Sequence, residues 1–341
     1  MMDMENPSVS PDRIMALCNA FQCSKVLHSA SELGVFTALE NEPLDAVTLA
    51  REIDIAQRGA RDFFDTLVSL GLLDRSEEGL YLNTAQSSHF LDRNKSTYIG
   101  GLIAHANSRV FPLWADLTRA LRTGRPQKPD QTDPDLYQRL YSDPAKLAAF
   151  AKGMTGGSRI VASEIAARFP WDKFASMLDV GTAQGCLPIA IASVHPHIVA
   201  TGFDLPQVRG LFHDYAREHG LSDRVVFHAG DFMSESLPGA DVIVMGRVLH
   251  NWDLSTKMML LRKAHEALPV NGRIVIYERL IDDGRRSNSA ALLASLNMLV
   301  MTDGGFDFSG ADCVGWMLGA GFRDMYLEPL SGGLSMIVGT K

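Results

Sequence analysis

Several acids and one histidine stand where an open α/β sheet does its chemistry. An apolar run from Met177 to Val180 carries Asp179, turns through Gly181-Thr-Ala-Gln-Gly185 and feeds a helical stretch beginning at Cys186. The next apolar run, Ile198 to Phe203, ends in Asp204, and a third, Val225 to Ala229, is followed by Gly230 and Asp231. Glycines at a strand-to-helix turn let a ligand approach the backbone, and an acid after the following strand takes ribose hydroxyls. A fourth run, Val242 to Gly246, leads into Arg247-Val-Leu-His250-Asn251-Trp-Asp253. Neutral imidazole accepts a proton near physiological pH. Glu278 closes a fifth run, and Gly304-Gly-Phe-Asp307 offers another acid. A carboxylate on the far ring nitrogen holds the tautomer and stabilises the imidazolium as it forms.

Carboxylates at three successive strand ends repel a pyrophosphate, which wants amides and cations. They suit a nucleoside that carries an ammonium and a sulfonium, such as S-adenosylmethionine. No compact cluster of His and carboxylate ligands is visible along the chain, so no metal site is expected. Ser309-Gly-Ala-Asp312 reads as a helix start resembling a capping box, without a catalytic role.

The elements that must position these groups fall into three parts. Residues 1–94 open with a disordered leader (1–10) and a helix from Asp12 to Leu33, stopped by Gly34, whose apolar residues recur too broadly for a surface helix. A helix Leu49 to Ile53, a helix Arg58 to Leu70 and two short strands, Leu72-Leu73 and Gly79 to Leu82, make a winged helix. Its second helix begins Arg58-Gly-Ala-Arg61-Asp-Phe-Phe-Asp65, with as many aspartates as arginines. Packing or dimerisation therefore fits better than DNA binding. Residues 95–168 are a mostly helical linker: an amphipathic segment from Phe111 to Gly124, a proline-rich loop from Pro126 to Pro134, and a stretch from Asp135 to Tyr141. A helix then starts at Asp143-Pro144 and is broken at Gly156-Gly157. Residues 169–341 alternate strand and helix, which predicts a doubly wound, mostly parallel sheet closed by an antiparallel pair, Arg323–Leu327 and Leu334–Gly339.

Composition narrows the classes. The chain has 341 residues, 46% of them hydrophobic, and a net charge of −8. That charge gives little attraction for a phosphate backbone, so no nucleic-acid partner is expected. No apolar run reaches the roughly 20 residues that span a bilayer, and no membrane partner is expected. The first residues lack the pattern of a signal peptide, and four scattered cysteines form no disulfide framework. The expected location is the cytoplasm.

Taken together, Asp179-Val-Gly181-x-x-x-Gly185, Gly-Phe-Asp204-Leu205-Pro, Gly-Asp231-Phe232, Val-Leu-His250-Asn-Trp-Asp and the Gly-Gly-x-Asp307 loop resemble the S-adenosylmethionine-dependent O-methyltransferases of the caffeic-acid type. The likeness is to the bacterial branch acting on aromatic polyketides and naphthoates, and it spans nearly the whole chain, including Ser24-Lys-Val-Leu and Glu32-Leu-Gly-Val-Phe36. It implies a class I methyltransferase α/β domain, a Rossmann-like sheet with an antiparallel last strand, behind an N-terminal winged-helix domain that forms a homodimer. It implies metal-independent methyl transfer from S-adenosyl-L-methionine to a hydroxyl of a small aromatic secondary metabolite. His250 would be the base, flanked by Glu278 and Asp307. Cofactor contacts would come from Asp179, Gly181, Gly185, Asp204, Leu205, Asp231, Phe232, Arg247 and Ser158. Met154, Asn251, Met298, Thr302, Phe111 and Trp114 would face the acceptor. Thr182-Ala183 replaces two glycines of the usual turn, Asp307 stands where Glu is common, and Phe308 where Arg is common. Methylation at nitrogen or carbon, another reaction on the same scaffold, and a winged-helix regulator that senses a nucleoside remain as alternatives.

Overall fold

A computed structural model describes residues 9–95, 97–127 and 141–341. The leader before residue 9, most of the proline-rich loop and the stretch ahead of Tyr141 lie outside the described residues. Contacts divide the chain into two compact units, through Arg109 and from Val110 onward.

The first unit holds α1 (Asp12–Leu33), α2 (Val35–Ala38), α3 (Ala46–Glu52), α4 (Ala60–Ser69), the strands β1 (Leu73–Arg75) and β2 (Tyr81–Asn83), then α5 (Ala85–Leu91) and α6 (Gly100–His105). Asp45 caps α3 by accepting the Val47 and Thr48 N–H groups. β1 and β2 pair antiparallel, Leu73 opposite Asn83. Phe36, Leu49, Phe64, Leu67 and Tyr81 form the core. Helix α1 departs from expectation. Only Ala30 and Ser31 of it are buried, while Ile14 and Leu17 are 70% exposed and Phe21 56%. Val26 and Leu27 pack against that core, but Ile14, Leu17 and Phe21 find no cover among the described residues.

The second unit runs α7 (Phe111–Trp114), α8 (Leu117–Thr123), α9 (Pro144–Arg168), β3 (Ser176–Val180), α10 (Cys186–Val194), β4 (Val199–Asp204), α11 (Arg209–Glu218), β5 (Val225–Ala229), β6 (Val242–Gly246), α12 (Leu254–Ala267), β7 (Arg273–Glu278), α13 (Ser289–Met301), α14 (Gly310–Gly319), β8 (Arg323–Pro329) and β9 (Ser335–Thr340). Among the described residues a seven-stranded sheet has the order β5-β4-β3-β6-β7-β9-β8. β3 to β7 are parallel, while β9 runs antiparallel to both β7 and β8. Apolar layers cover both faces, with Trp171, Ile191 and Phe212 on one and Leu260, Phe308 and Met317 on the other.

The expected break at Gly156-Gly157 does not occur, because α9 runs unbroken through both. An interior glycine costs a helix about 1 kcal/mol. Packing against α10, with Val161, Ala162, Ile165 and Ala166 buried, outweighs that local cost. No helix among the described residues is long and apolar enough to cross a membrane.

Candidate active site

The turn after β3 is tied to the end of β4. Phe203 O accepts the Gly181 and Thr182 N–H groups at 2.9 and 3.2 Å. Asp204 Oδ2 accepts the Ala183 N–H at 2.8 Å, and its Oδ1 accepts Leu205 N–H at 2.8 Å and the Tyr141 hydroxyl at 3.3 Å. Glycine is required at two places here. Gly181 has φ +75 with Val248 Cγ2 at 2.9 Å from a Cβ built there, and Gly185 has φ +84 with the Phe212 ring at 2.5 Å. Ala183, the departure noted above, adopts φ +50, a left-handed conformation that costs a non-glycine residue about 1–2 kcal/mol. Its N–H is thereby aimed at Asp204. On the far side, Thr155 of α9 donates its hydroxyl to Gln184 Oε1 at 2.9 Å. Neither Thr155, Gln184 nor Tyr141 stands out in the sequence.

The acids of this turn are buried. Burial pushes the Asp179 carboxyl up to about 7, and the charge of Asp204 adds to it. Burial raises Asp204 as well, against the N–H bonds from Ala183 and Leu205 and the Tyr141 hydroxyl. Asp231 is less enclosed and folds its own loop, accepting the Met233 N–H at 2.8 Å. Phe232 meets Trp252 edge to face at 5.8 Å.

Beside the turn, β6 ends in Arg247, whose backbone has φ +55 and whose N–H pairs with Tyr277 O at 3.0 Å. The short helical turn that follows carries His250. Its Nδ1 lies 3.5 Å from Glu278 Oε2 and 3.4 Å from Asp307 Oδ1. Both of those oxygens are buried without a hydrogen-bond partner. Glu278 Oε1 accepts the His250 backbone N–H at 3.3 Å, and the Asp307 N–H donates to Ser295 Oγ at 3.1 Å. Burial raises the Glu278 carboxyl, opposed by His250 and reinforced by Asp307. Carboxylates facing Nδ1 favour the tautomer protonated there, an arrangement that can present Nε2 as the basic nitrogen.

His250, Glu278 and Asp307, although no compact cluster stands along the sequence, come together in space. Ligand atoms of His250, Glu278 and Asp307 lie within 4.8 Å of one another. The fold gathers three residues that are far apart along the chain.

Trp114 Nε1 donates to Asn297 Oδ1 of α13 at 3.0 Å. Asn251 Nδ2 donates to the Arg247 and Val248 carbonyls at 3.1 and 3.3 Å. Thr302 donates its hydroxyl to Met298 O at 2.8 Å and accepts the Gly305 N–H at 2.9 Å. Asn251 and Thr302 share a cavity of about 190 Å³ with Met233, Trp252 and Asp303. Met154 and Ser158 are half-buried on α9, and Met298 is buried on α13. Phe111 opens α7. Phe308 points into the core against Trp316, ring centroids 5.0 Å apart, so it does not set the polarity of an acceptor site.

Acids at the carboxyl edge of the sheet, a tight glycine turn and an antiparallel strand slotted between β7 and β8 together define a methyltransferase-type enzyme. The family follows from comparison with known proteins. Residues 114–323 match the O-methyltransferase domain, and residues 15–93 match the O-methyltransferase dimerisation domain. The chain belongs to this O-methyltransferase family. It is 39% identical to the tetracenomycin polyketide synthesis 8-O-methyl transferase TcmO of Streptomyces glaucescens, over 97% of each chain. It is 35% identical to the N,N-dimethyltransferase OxyT of Streptomyces rimosus, over 81% of this chain and 80% of that one. Among solved structures it resembles human N-acetylserotonin methyltransferase in complex with SAM, with a TM-score of 0.89 and 27% identity over 100% of this chain and 99% of that one.

Proposed function

We propose that this protein transfers a methyl group from S-adenosyl-L-methionine to a hydroxyl of a polycyclic aromatic metabolite, with His250 as general base. The observation that carries this is His250 Nδ1 held against two buried carboxylates, 3.5 and 3.4 Å away, beside the acid-lined turn. The residues present fit the cofactor: Asp179 and Asp204 are buried acids at neighbouring strand ends, suited to a cationic nucleoside. Asp204 and Leu205 would hold the ribose, Asp231 and Phe232 the adenine, and Gly181, Gly185, Ser158 and Arg247 would border the methionine portion. When bound, S-adenosylmethionine supplies the methyl group from its sulfonium.

His250 Nε2 takes the hydroxyl proton while Glu278 and Asp307 stabilise the resulting imidazolium. A phenol near ~10 and a histidine near ~6.5 differ by about 3.5 units, or about 4.8 kcal/mol. An acceptor acidified by a neighbouring carbonyl narrows that gap, and positioning supplies the rest. Trp114, Phe111, Met154, Asn251, Met298 and Thr302 are assigned to the acceptor side. Methionines fill irregular apolar space, which suits a flat polycycle.

The test is incubation with isotope-labelled S-adenosylmethionine and a panel of hydroxylated naphthoates, anthraquinones and tetracyclic polyketides, followed by product mass. Label on a hydroxyl oxygen is expected. Label on an amine nitrogen would instead support the second reading, an N-methyltransferase, which the 35% identity to OxyT favours.

The reaction is assigned no metal. Although His250, Glu278 and Asp307 are close enough to surround a cation, the mechanism uses them for the proton. Dialysis against a chelator is expected to leave turnover unchanged. Loss of activity on dialysis, restored by a divalent cation, would overturn this.

The protein is assigned as a cytoplasmic homodimer. Ile14, Leu17 and Phe21 lie on α1 at spacings of three and four and are largely exposed, forming an apolar face that a second copy would cover. Leu17→Glu combined with Phe21→Glu is expected to halve the mass seen by light scattering. An unchanged mass would move the interface elsewhere.

A further inference from the structure

One buried cation lies behind the His250 cluster. The inward face of α12 is Lys257, Leu260, Leu261 and Ala264, so a lysine occupies a position in an apolar stripe. It is 0% exposed. Its Nζ donates to the Trp252 carbonyl at 2.8 Å and the Phe306 carbonyl at 3.0 Å. The same nitrogen lies 3.1 Å from the Phe306 ring centroid, with Phe308 at 5.5 Å and Trp316 at 5.7 Å. Trp252 follows His250 closely in the chain, and Phe306 adjoins Asp307. One ammonium thus holds both segments that present the cluster.

We propose that Lys257 is a positioning residue for His250: its ammonium ties the His250 turn to the Asp307 loop and places a positive charge behind the paired carboxylates. The proposal rests on His250 being the base, and it adds the group that makes the paired carboxylates tolerable. Two carboxylates that share a buried site do not both ionise readily. With Lys257 charged, proton uptake by His250 brings the four groups to neutrality. Without it, Glu278 takes up a proton, and a neutral carboxyl no longer stabilises the imidazolium.

The surroundings agree. Burial lowers the Lys257 ammonium to about 8, and the carboxylates of Glu278, Asp307 and Asp253 hold it up. Glu278 is faced by His250 and Arg247 from the segment after β6, by Asp307 from its loop, by Tyr277 on its own strand and by Cys313 on α14.

Glutamate labelled with carbon-13 at the side-chain carboxyl tests this directly, with the Glu278 resonance assigned by its absence from Glu278→Gln. In Lys257→Met, Glu278 is expected to titrate about one pH unit or more higher than in the wild type, a tenfold change in proton affinity. Lys257→Gln keeps a donor but no charge, and it should give the same shift. An unmoved Glu278 titration in either folded variant overturns the proposal, because a packing role lowers the melting temperature without changing that titration. The wild-type chain provides a test that needs no altered fold. Spectra of nitrogen-15 lysine should show one exchange-protected side chain still protonated at about pH 7, and a neutral amine there overturns the proposal. Activity of His250→Gln would sink the base assignment alone, while the Glu278 titration still answers for Lys257.

Discussion

His250→Gln is expected to lower the rate of methyl transfer by about 10²–10⁴, the usual worth of a positioned general base, with cofactor affinity unchanged. Glutamine keeps the side chain polar and of comparable reach but cannot accept a proton. The two carboxylates beside it would then face a neutral group, and their stabilisation of a developing cation would be lost. Glu278→Gln should cost less, because Asp307 still faces Nδ1 at 3.4 Å. Single-turnover rates with saturating S-adenosylmethionine separate the chemical step from binding. If His250→Gln turns over at the wild-type rate, proton removal belongs to solvent or to the acceptor itself, and nitrogen methylation gains ground.

Much of this site can be read along the chain because strand ends are local features. Apolar runs that stop at Val180, just after Asp179, and at Asp204, Gly246 and Glu278 place their last residues at one edge of the sheet, whatever the details of packing. The acids and His250 therefore converge wherever the strands are parallel. Features that depend on contacts between distant segments were not legible. Lys257 has the composition of a solvated residue, and its one signal is its place in the stripe with Leu260, Leu261 and Ala264. The approach of Glu278 and Asp307 to a single imidazole nitrogen needs the loop after α13 to return to the end of β7, where Ile281 bridges Ser309. Helix α9 passes through Gly156 and Gly157 because its neighbours outweigh propensity. The first half of helix α1 has a buried-type sequence and an exposed surface, a mismatch that the described residues of one chain do not resolve. Strand β9 is recognisable as a partner of β8, but its insertion beside β7 is set by the whole sheet.

Asp204→Ala is expected to weaken S-adenosylmethionine binding by about 10² or more. Each hydrogen bond to an ionised group contributes about 1.5–3 kcal/mol, and about 1.4 kcal/mol corresponds to tenfold in affinity. Loss of the bonds to two ribose hydroxyls accounts for that range. A further cost comes from the protein, since the Ala183 and Leu205 N–H groups both donate to this carboxylate at 2.8 Å. Asp204→Asn offers one acceptor oxygen for those two donors and should fall between the wild type and alanine. Titration calorimetry checks the order, and equal affinities for all three would remove Asp204 from the cofactor site. The neighbouring Asp179 adds a pH dependence with a definite sign. Its carboxyl is raised to about 7, so it is largely neutral below that pH and ionised above it. A cationic ligand favours the ionised form, so affinity should decline as pH falls through about 7, approaching tenfold per unit, and level off toward about pH 8. Asp179→Asn should flatten that profile near pH 7. A wild-type affinity that stays constant between about pH 6 and pH 8 would mean that Asp179 does not face the cationic part of the cofactor.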